Sequence, residues 1–234
     1  MVAATFPAKA ASAFIIPEKL VYDLTWTGVK AGTAVLELAN DKDTIRVTST
    51  ANSVPWVSVF YTVDDRVETI LAKGKSRIFV GQPQNYRVQL REGRHRRNKE
   101  IIFDHAEHRA VFIDHLGKER KEYAVGENVF DPLSVLYYVR TMKLAVGKSV
   151  YVEIFDSKKL WNVEVQVLRK ERISTILGYT DTFVVKPLMK SEGIFNRKGE
   201  VFIWFTDDQR RIPVKMQSKV AVGAITATLV GGIY

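Results

Sequence analysis

The feature that most constrains this chain is a period of two in its apolar residues that recurs almost from end to end. In "KLVYDLTWTGV" Leu20, Tyr22, Leu24 and Trp26 are apolar while Asp23, Thr25 and Thr27 are polar, the alternation of a strand that buries one face. Gly28 and Gly32 bracket a turn, and "TAVLELA" returns. The signature recurs in "DTIRVTSTA", "NYRVQLREG", "KEIIFD", "RAVFIDH", "KSVYVEIFD", "LWNVEVQVLRKE", "TDTFVVKPL", "EVFIWFTD" and "IPVKMQSKVAVGAITATLV". About ten short strands separated by turn residues predict a mainly β fold: one curved antiparallel sheet, half-open or closed like a barrel. No repeat, low-complexity tract or linker interrupts residues 17–234, so they read as a single β-rich domain.

Two segments break the rhythm. In "FDPLSVLYYVRTMKL" Asp131 is placed as an N-cap, Pro132 at the first helical position and Lys143 near the end, so a helix is expected over 132–143. Its apolar stripe of Val135, Tyr138, Val139 and Met142 is flanked by Leu133, Leu136 and Tyr137, so it must lie against the sheet. In "SVPWVSVFYTV" Pro55 opens a stretch with Trp56, Val57, Phe60 and Tyr61 at helical spacing, which predicts a short second helix.

Charge and composition narrow the function classes. Lys and Arg outnumber Asp and Glu by 35 to 26, a net charge of +9, which favours anionic partners. More than half of that excess lies in "RVQLREGRHRRNK", where Arg87, Arg91, Arg94, Arg96, Arg97 and Lys99 face only Glu92. The stretch reads as a hairpin with Glu92-Gly93 at its tip, its arginines on one exposed face. Edge protection accounts for such charge, and so does binding of anionic headgroups or glycans. No aromatic platform is interleaved with it, so nucleic acid is not expected. The chain has no cysteine, which excludes disulfides, thiolate metal sites and cysteine nucleophiles. Its longest uncharged run, residues 220–234, has 15 residues, short of the ~20 that a membrane helix needs. The stretch 1–16, rich in small residues, reads as a flexible lead left by a removed signal peptide.

Candidate chemistry is sparse. Asp207-Asp208 falls where one alternating run stops and another starts, and Asx residues favour tight turns; neither carboxylate has a neighbouring His or Glu to complete a site. All four histidines lie between His95 and His115, but His105 and His108 lack the helical i, i+4 spacing that aims two imidazoles at one ion, so no metal is expected. Gly147-Lys148-Ser149 ends like a phosphate-binding loop, yet the first glycine of that pattern would fall at Met142. Neither a G-x-S-x-G elbow nor a G-x-G-x-x-G loop is present, and an enzymatic activity or a cofactor is not expected.

Taken together, "YDLTWTGVKAG" (Tyr22 to Gly32), "FDPLSVLYYVR" (Phe130 to Arg140) and "IWFTDDQRRIPVKM" (Ile203 to Met216) resemble an uncharacterised family of bacterial exported proteins, a domain of unknown function. The likeness runs from about Pro17 to Leu229 and implies a periplasmic location in the Gram-negative cell envelope; it supplies no catalytic residue. A weaker likeness, carried by Trp204, Asp207 and Pro213, is to the Lol-type lipoprotein carriers, in which a curved sheet wraps an apolar cavity covered by helices.

The expectation is therefore a non-enzymatic periplasmic protein whose sheet, covered by the Asp131 helix, holds a lipid-like or acyl ligand in an apolar concavity. Trp26, Trp56, Phe60, Tyr61, Leu133, Leu136 and Tyr137 are the candidate apolar contacts, and Arg87, Arg91, Arg94 and Arg96 the candidate anion contacts. The alternative is an envelope scaffold or assembly factor with a filled core that binds a protein partner or an anionic glycan. An outer-membrane barrel, suggested by Tyr234 and the apolar last strand, is opposed by the dense charge between strands and by the internal helix.

Overall fold

Alternation on this scale demands partners for the strands, and one sheet supplies them for all but its two outer edges. The computed structural model describes residues 14–74, 80–189, 200–219 and 223–234. Its first half is an antiparallel meander of β1 (Glu18–Trp26), β2 (Val29–Asp41), β3 (Thr44–Ser53), β4 (Asp64–Ala72), β5 (Pro83–Glu92), β6 (His95–Asp104), β7 (Arg109–Asp114) and β8 (Glu119–Ala124). After the two-residue β9 (Val129–Phe130) comes a second meander of β10 (Ser149–Asp156), β11 (Lys159–Thr175), β12 (Gly178–Met189), β13 (Val201–Thr206), β14 (Pro213–Lys219) and β15 (Ala224–Ile233). The meanders join where β1 pairs with β15, from Lys19 opposite Ile233 to Trp26 opposite Ile225. The result is one sheet with β8 and β9 at its edges.

The described strands number fifteen, against about ten expected from alternation. "DDRVETILA" (β4) and the charged "ERKEYA" (β8) show no clear alternation, because their polar residues hide the apolar period. The final run splits into β14 and β15. The sheet curls until its edges meet through side chains: the Phe155 ring of β10 lies 6.4 Å from Phe103 of β6 and 5.3 Å from Tyr123 of β8. Lys158 and Glu119 make an ion pair at 2.5 Å across the same seam. Among the described residues no backbone ladder joins β8 to β9.

Two helices interrupt the strands. α1 (Pro55–Ser58) is a single turn between β3 and β4. α2 (Ser134–Thr141) crosses between β9 and β10, which is why those two strands pair parallel. The expected helix over 132–143 is thus shorter at both ends, with Pro132 and Leu133 in a turn ahead of it. Asp131 nonetheless does the work of a cap: its Oδ1 accepts the N–H groups of Leu133 at 2.8 Å and Ser134 at 2.9 Å. α2 lies between two cores. Leu133 and Tyr137 pack into the larger one, to which the first meander contributes most and the second adds residues such as Phe155, Val214 and Leu229, whereas Val139 packs into the one built by β10 to β13. A helix apolar on two sides belongs inside.

Candidate functional site

The helix is held at both ends by polar contacts that reach across the concavity. At its start, Thr69 of β4 donates from Oγ1 to Asp131 Oδ2 at 2.7 Å. Burial raises the Asp131 pKa against the lowering effect of the bonds from Ser134, Thr69 and Leu133. At its end, Arg140 grips both oxygens of Glu18 on β1, each at 2.7 Å, and donates twice more to the Arg210 carbonyl at 3.2 and 3.0 Å. Its guanidinium lies against the adjoining rings of Phe14 and Tyr137, 4.7 and 5.1 Å from their centroids. Burial works against the charge on Arg140, but the bonds and charge of Glu18 outweigh it and hold the pKa above its ordinary value.

The Arg210 carbonyl is presented by the turn that contains the two aspartates. Asp208 Oδ1 accepts the Thr206 hydroxyl at 2.6 Å and the N–H groups of Arg210 and Arg211 at 3.1 Å each. Asp207 makes an ion pair with Lys170 at 2.5 Å. Next to this turn, the Tyr22 hydroxyl donates to the Pro213 carbonyl at 2.8 Å. The segments around Tyr22, Asp131 to Arg140 and Asp207 to Pro213 are therefore one assembly, which positions α2.

Behind α2, on the side of the second meander, lies an apolar cavity of about 220 Å³. The helix side contributes Pro132, Val135, Leu136 and Val139; the sheet contributes Val152, Ile154, Val163, Val165, Val185, Pro187, Val201, Ile203, Phe205 and Met216. Asp156 is the single carboxylate among the described residues of the lining. Burial raises its pKa, against the Ser157 bond and the charges of Lys99 and Arg97. The volume exceeds the ~150 Å³ in which an apolar cavity takes up benzene. It falls short of the ~300–1,000 Å³ of sites for drug-sized ligands. Such a space suits a length of alkyl chain better than a whole lipid.

The residues named from the sequence separate into four places. Leu136 lines the cavity. Leu133 and Tyr137 point the other way into the first core, where the Tyr137 hydroxyl is buried with no hydrogen-bond partner among the described residues. Trp26, Trp56, Phe60 and Tyr61 stand exposed at one end of the sheet. Arg91, Arg94 and Arg96 are exposed at the β5–β6 tip beside them. Arg87 is set apart, in a polar depression of the outer face with Arg46, Arg66, Glu68 and Gln89. Of the stretch read as a lead, residues 1–13 lie outside the described residues, and Phe14 is buried against Tyr137.

Sequence reasoning missed the sheet side of the cavity. Its signal was present in the alternation of Val163, Val165 and Val167 and of Ile203 and Phe205, but a period of two marks an inward face without saying whether anything fills the space opposite. The histidines disperse. His105 contacts the Pro83 carbonyl at 2.7 Å and His115 contacts Glu100 at 3.0 Å. Among the described residues no three His, Cys, Asp or Glu gather as a metal site would require. Among the described residues no helix is long and apolar enough to cross a membrane.

Comparison with known proteins adds family and fold. The profile of the family described as "Protein of unknown function (DUF3108)" matches residues 21–230. No curated protein matches the chain. A crystal structure of a beta-barrel-like protein of domain of unknown function DUF1849 from Brucella abortus is similar, with a TM-score of 0.63 and 11% identity over 94% of this chain and 98% of that one. At that identity the likeness concerns the fold alone.

Proposed function

We propose that this chain, which belongs to the DUF3108 family of proteins of unknown function, binds the alkyl part of a lipid-like molecule in the cavity between α2 and the second meander, without turning it over. The single observation that carries the reading is the apolar cavity of about 220 Å³ behind a helix clamped at both ends. A clamped helix cannot relax into the space, so the lining keeps apolar surface that an alkyl chain covers favourably, by about 25 cal/mol per Å². Asp156 gives this apolar lining a carboxyl group that would hydrogen-bond a hydroxyl or carboxyl at the chain's end. The periplasmic location belongs to the proposal and rests on the likeness to exported proteins.

The test is titration of delipidated protein with a fluorescent fatty acyl probe, with medium-chain alcohols as competitors. Saturable, competable binding is expected in the wild type, and Leu136→Trp, which fills the cavity, should abolish it while the melting temperature holds. Absence of saturable binding, or equal binding by the filled variant, refutes the reading. In that event the scaffold alternative gains, because the concavity of the first meander is already filled by Leu133, Tyr137 and their neighbours.

A further inference from the structure

In an antiparallel meander alternate turns share an end of the sheet. The β1–β2 turn at Thr27-Gly28, the connection containing α1, and the β5–β6 turn at Gly93 therefore lie at one end. Backbone hydrogen bonds knit them together: Val54 N–H donates to the Ala31 carbonyl at 3.0 Å, and Gly93 N–H to the Thr62 carbonyl at 2.8 Å. The approach at Gly93 is close enough that a Cβ there would lie 2.8 Å from the Tyr61 ring. Thr62 Oγ1 bonds the Ser58 carbonyl at 3.1 Å, and Ser53 and Ser58 bond each other at 2.7 Å. These bonds join the three turns into one end.

What it displays is unusual for a surface. Phe60 is 86% exposed, Val59 76%, Tyr61 51% and Trp56 50%, and Trp26 from the neighbouring turn stands 46% exposed. Contiguous exposed aromatics on a fixed loop mark an interaction surface. Beside them Arg94 is exposed, and among the described residues Arg96 donates only to the carbonyls of Gly93 at 2.7 Å and His95 at 2.8 Å, which leave its positive charge in place. Three acids are near. Asp65 accepts the Arg91 N–H and Asp64 accepts the Asn52 amide, while Glu92 sits at the tip itself.

The geometry points to this end as a docking surface for an anionic phospholipid bilayer. Indole, phenol and phenyl groups settle at the level of the headgroups, with their apolar bodies towards the acyl chains, and flanking arginines add attraction to anionic lipid. A protein partner would meet the same aromatics, but an arginine-bearing tip beside a small apolar patch complements a negatively charged, deformable layer. The strand ends that carry Pro187, Val201 and Asp156 of the cavity lining lie at the same end of the sheet, although bilayer docking does not depend on the cavity being occupied.

The experiment is co-sedimentation of the full chain with vesicles of phosphatidylcholine alone and of phosphatidylcholine mixed with phosphatidylglycerol, at low and high salt. Binding to the mixed vesicles, weakened by salt, is expected. It should fall at least about tenfold in Arg94→Glu/Arg96→Glu and in Trp56→Ser/Phe60→Ser, whose exposed positions leave the melting temperature unchanged. Brominated lipid should quench tryptophan fluorescence in the wild type and less in Trp56→Phe. Leu136→Trp should bind vesicles as the wild type does, which separates this surface from the cavity. No binding to the anionic vesicles at low salt overturns the proposal. So does binding indifferent to both double variants, or self-association in solution that Phe60→Ser abolishes.

Discussion

Removing Arg140 is the sharpest test of how the helix is held. The residue is 1% exposed and Glu18 3%, so Arg140→Met strands a buried carboxylate whose ion-pair partner among the described residues is Arg140. Removal of one partner from a buried ion pair costs about 3–5 kcal/mol. The wild-type geometry, with two bonds at 2.7 Å and two more to the Arg210 carbonyl, belongs in that range, because all four are lost together. A domain this size loses about 2–4 °C of melting temperature per kcal/mol, so a drop of roughly 6–20 °C is expected. Glu18→Gln keeps an acceptor for Arg140 and leaves the carbonyl and both rings in place; its cost should be smaller, about 1–3 kcal/mol. The double variant Glu18→Met/Arg140→Met removes the stranded charge and should be more stable than Arg140→Met alone. Urea unfolding followed by circular dichroism measures all three. Additive losses, or a cost under about 1 kcal/mol for Arg140→Met, would refute the view that this pair fastens α2.

Two further outcomes follow from the same geometry. Leu133→Ala, in the packed first core, should cost about 2–5 kcal/mol, and Leu136→Ala, beside space that is already empty, clearly less; equal losses in denaturant titrations would mean that the cavity closes in solution. Asp131 has a folded-state pKa above its unfolded value, so the folded protein binds the proton more tightly. The stability this gives is complete below the unfolded pKa and is lost as pH rises through the folded one. Asp131→Asn keeps an acceptor for Leu133 and Ser134, so its stability relative to wild type should climb with pH across that window and then level off; a parallel pH dependence of the two proteins would contradict the assignment.

The legible parts of the sequence were those with a local cause. Asp131 and Pro132 announced a helix because a carboxylate accepts N–H groups two and three residues on. Asp208 announced a turn for the same reason, accepting the N–H groups of Arg210 and Arg211. β8 was illegible because its exposed Arg120, Lys121 and Glu122 show no apolar period; its place as an edge strand is what allows that charge. The Trp56 to Tyr61 stretch stands out in the sequence for its aromatics, yet it is the tertiary pairing of Gly93 with Thr62 and of Glu92 with Val63 that brings the arginine tip to it.

The period of two by itself determined that the chain forms a sheet and which side chains face inward, since a strand's geometry sends successive residues to opposite faces whatever the rest of the molecule does. Which inward faces meet others and which are left open was decided by the tertiary structure alone. Leu133, in the turn ahead of α2, and Leu136, in its first turn, are three residues apart with similar chemistry, yet one is enclosed in the larger core and the other borders the cavity. That difference depends on how tightly fifteen strands curl and on where Arg140 finds Glu18, 122 residues away. Curvature and long-range pairing are sums over the whole sheet, and no local window of sequence contains them.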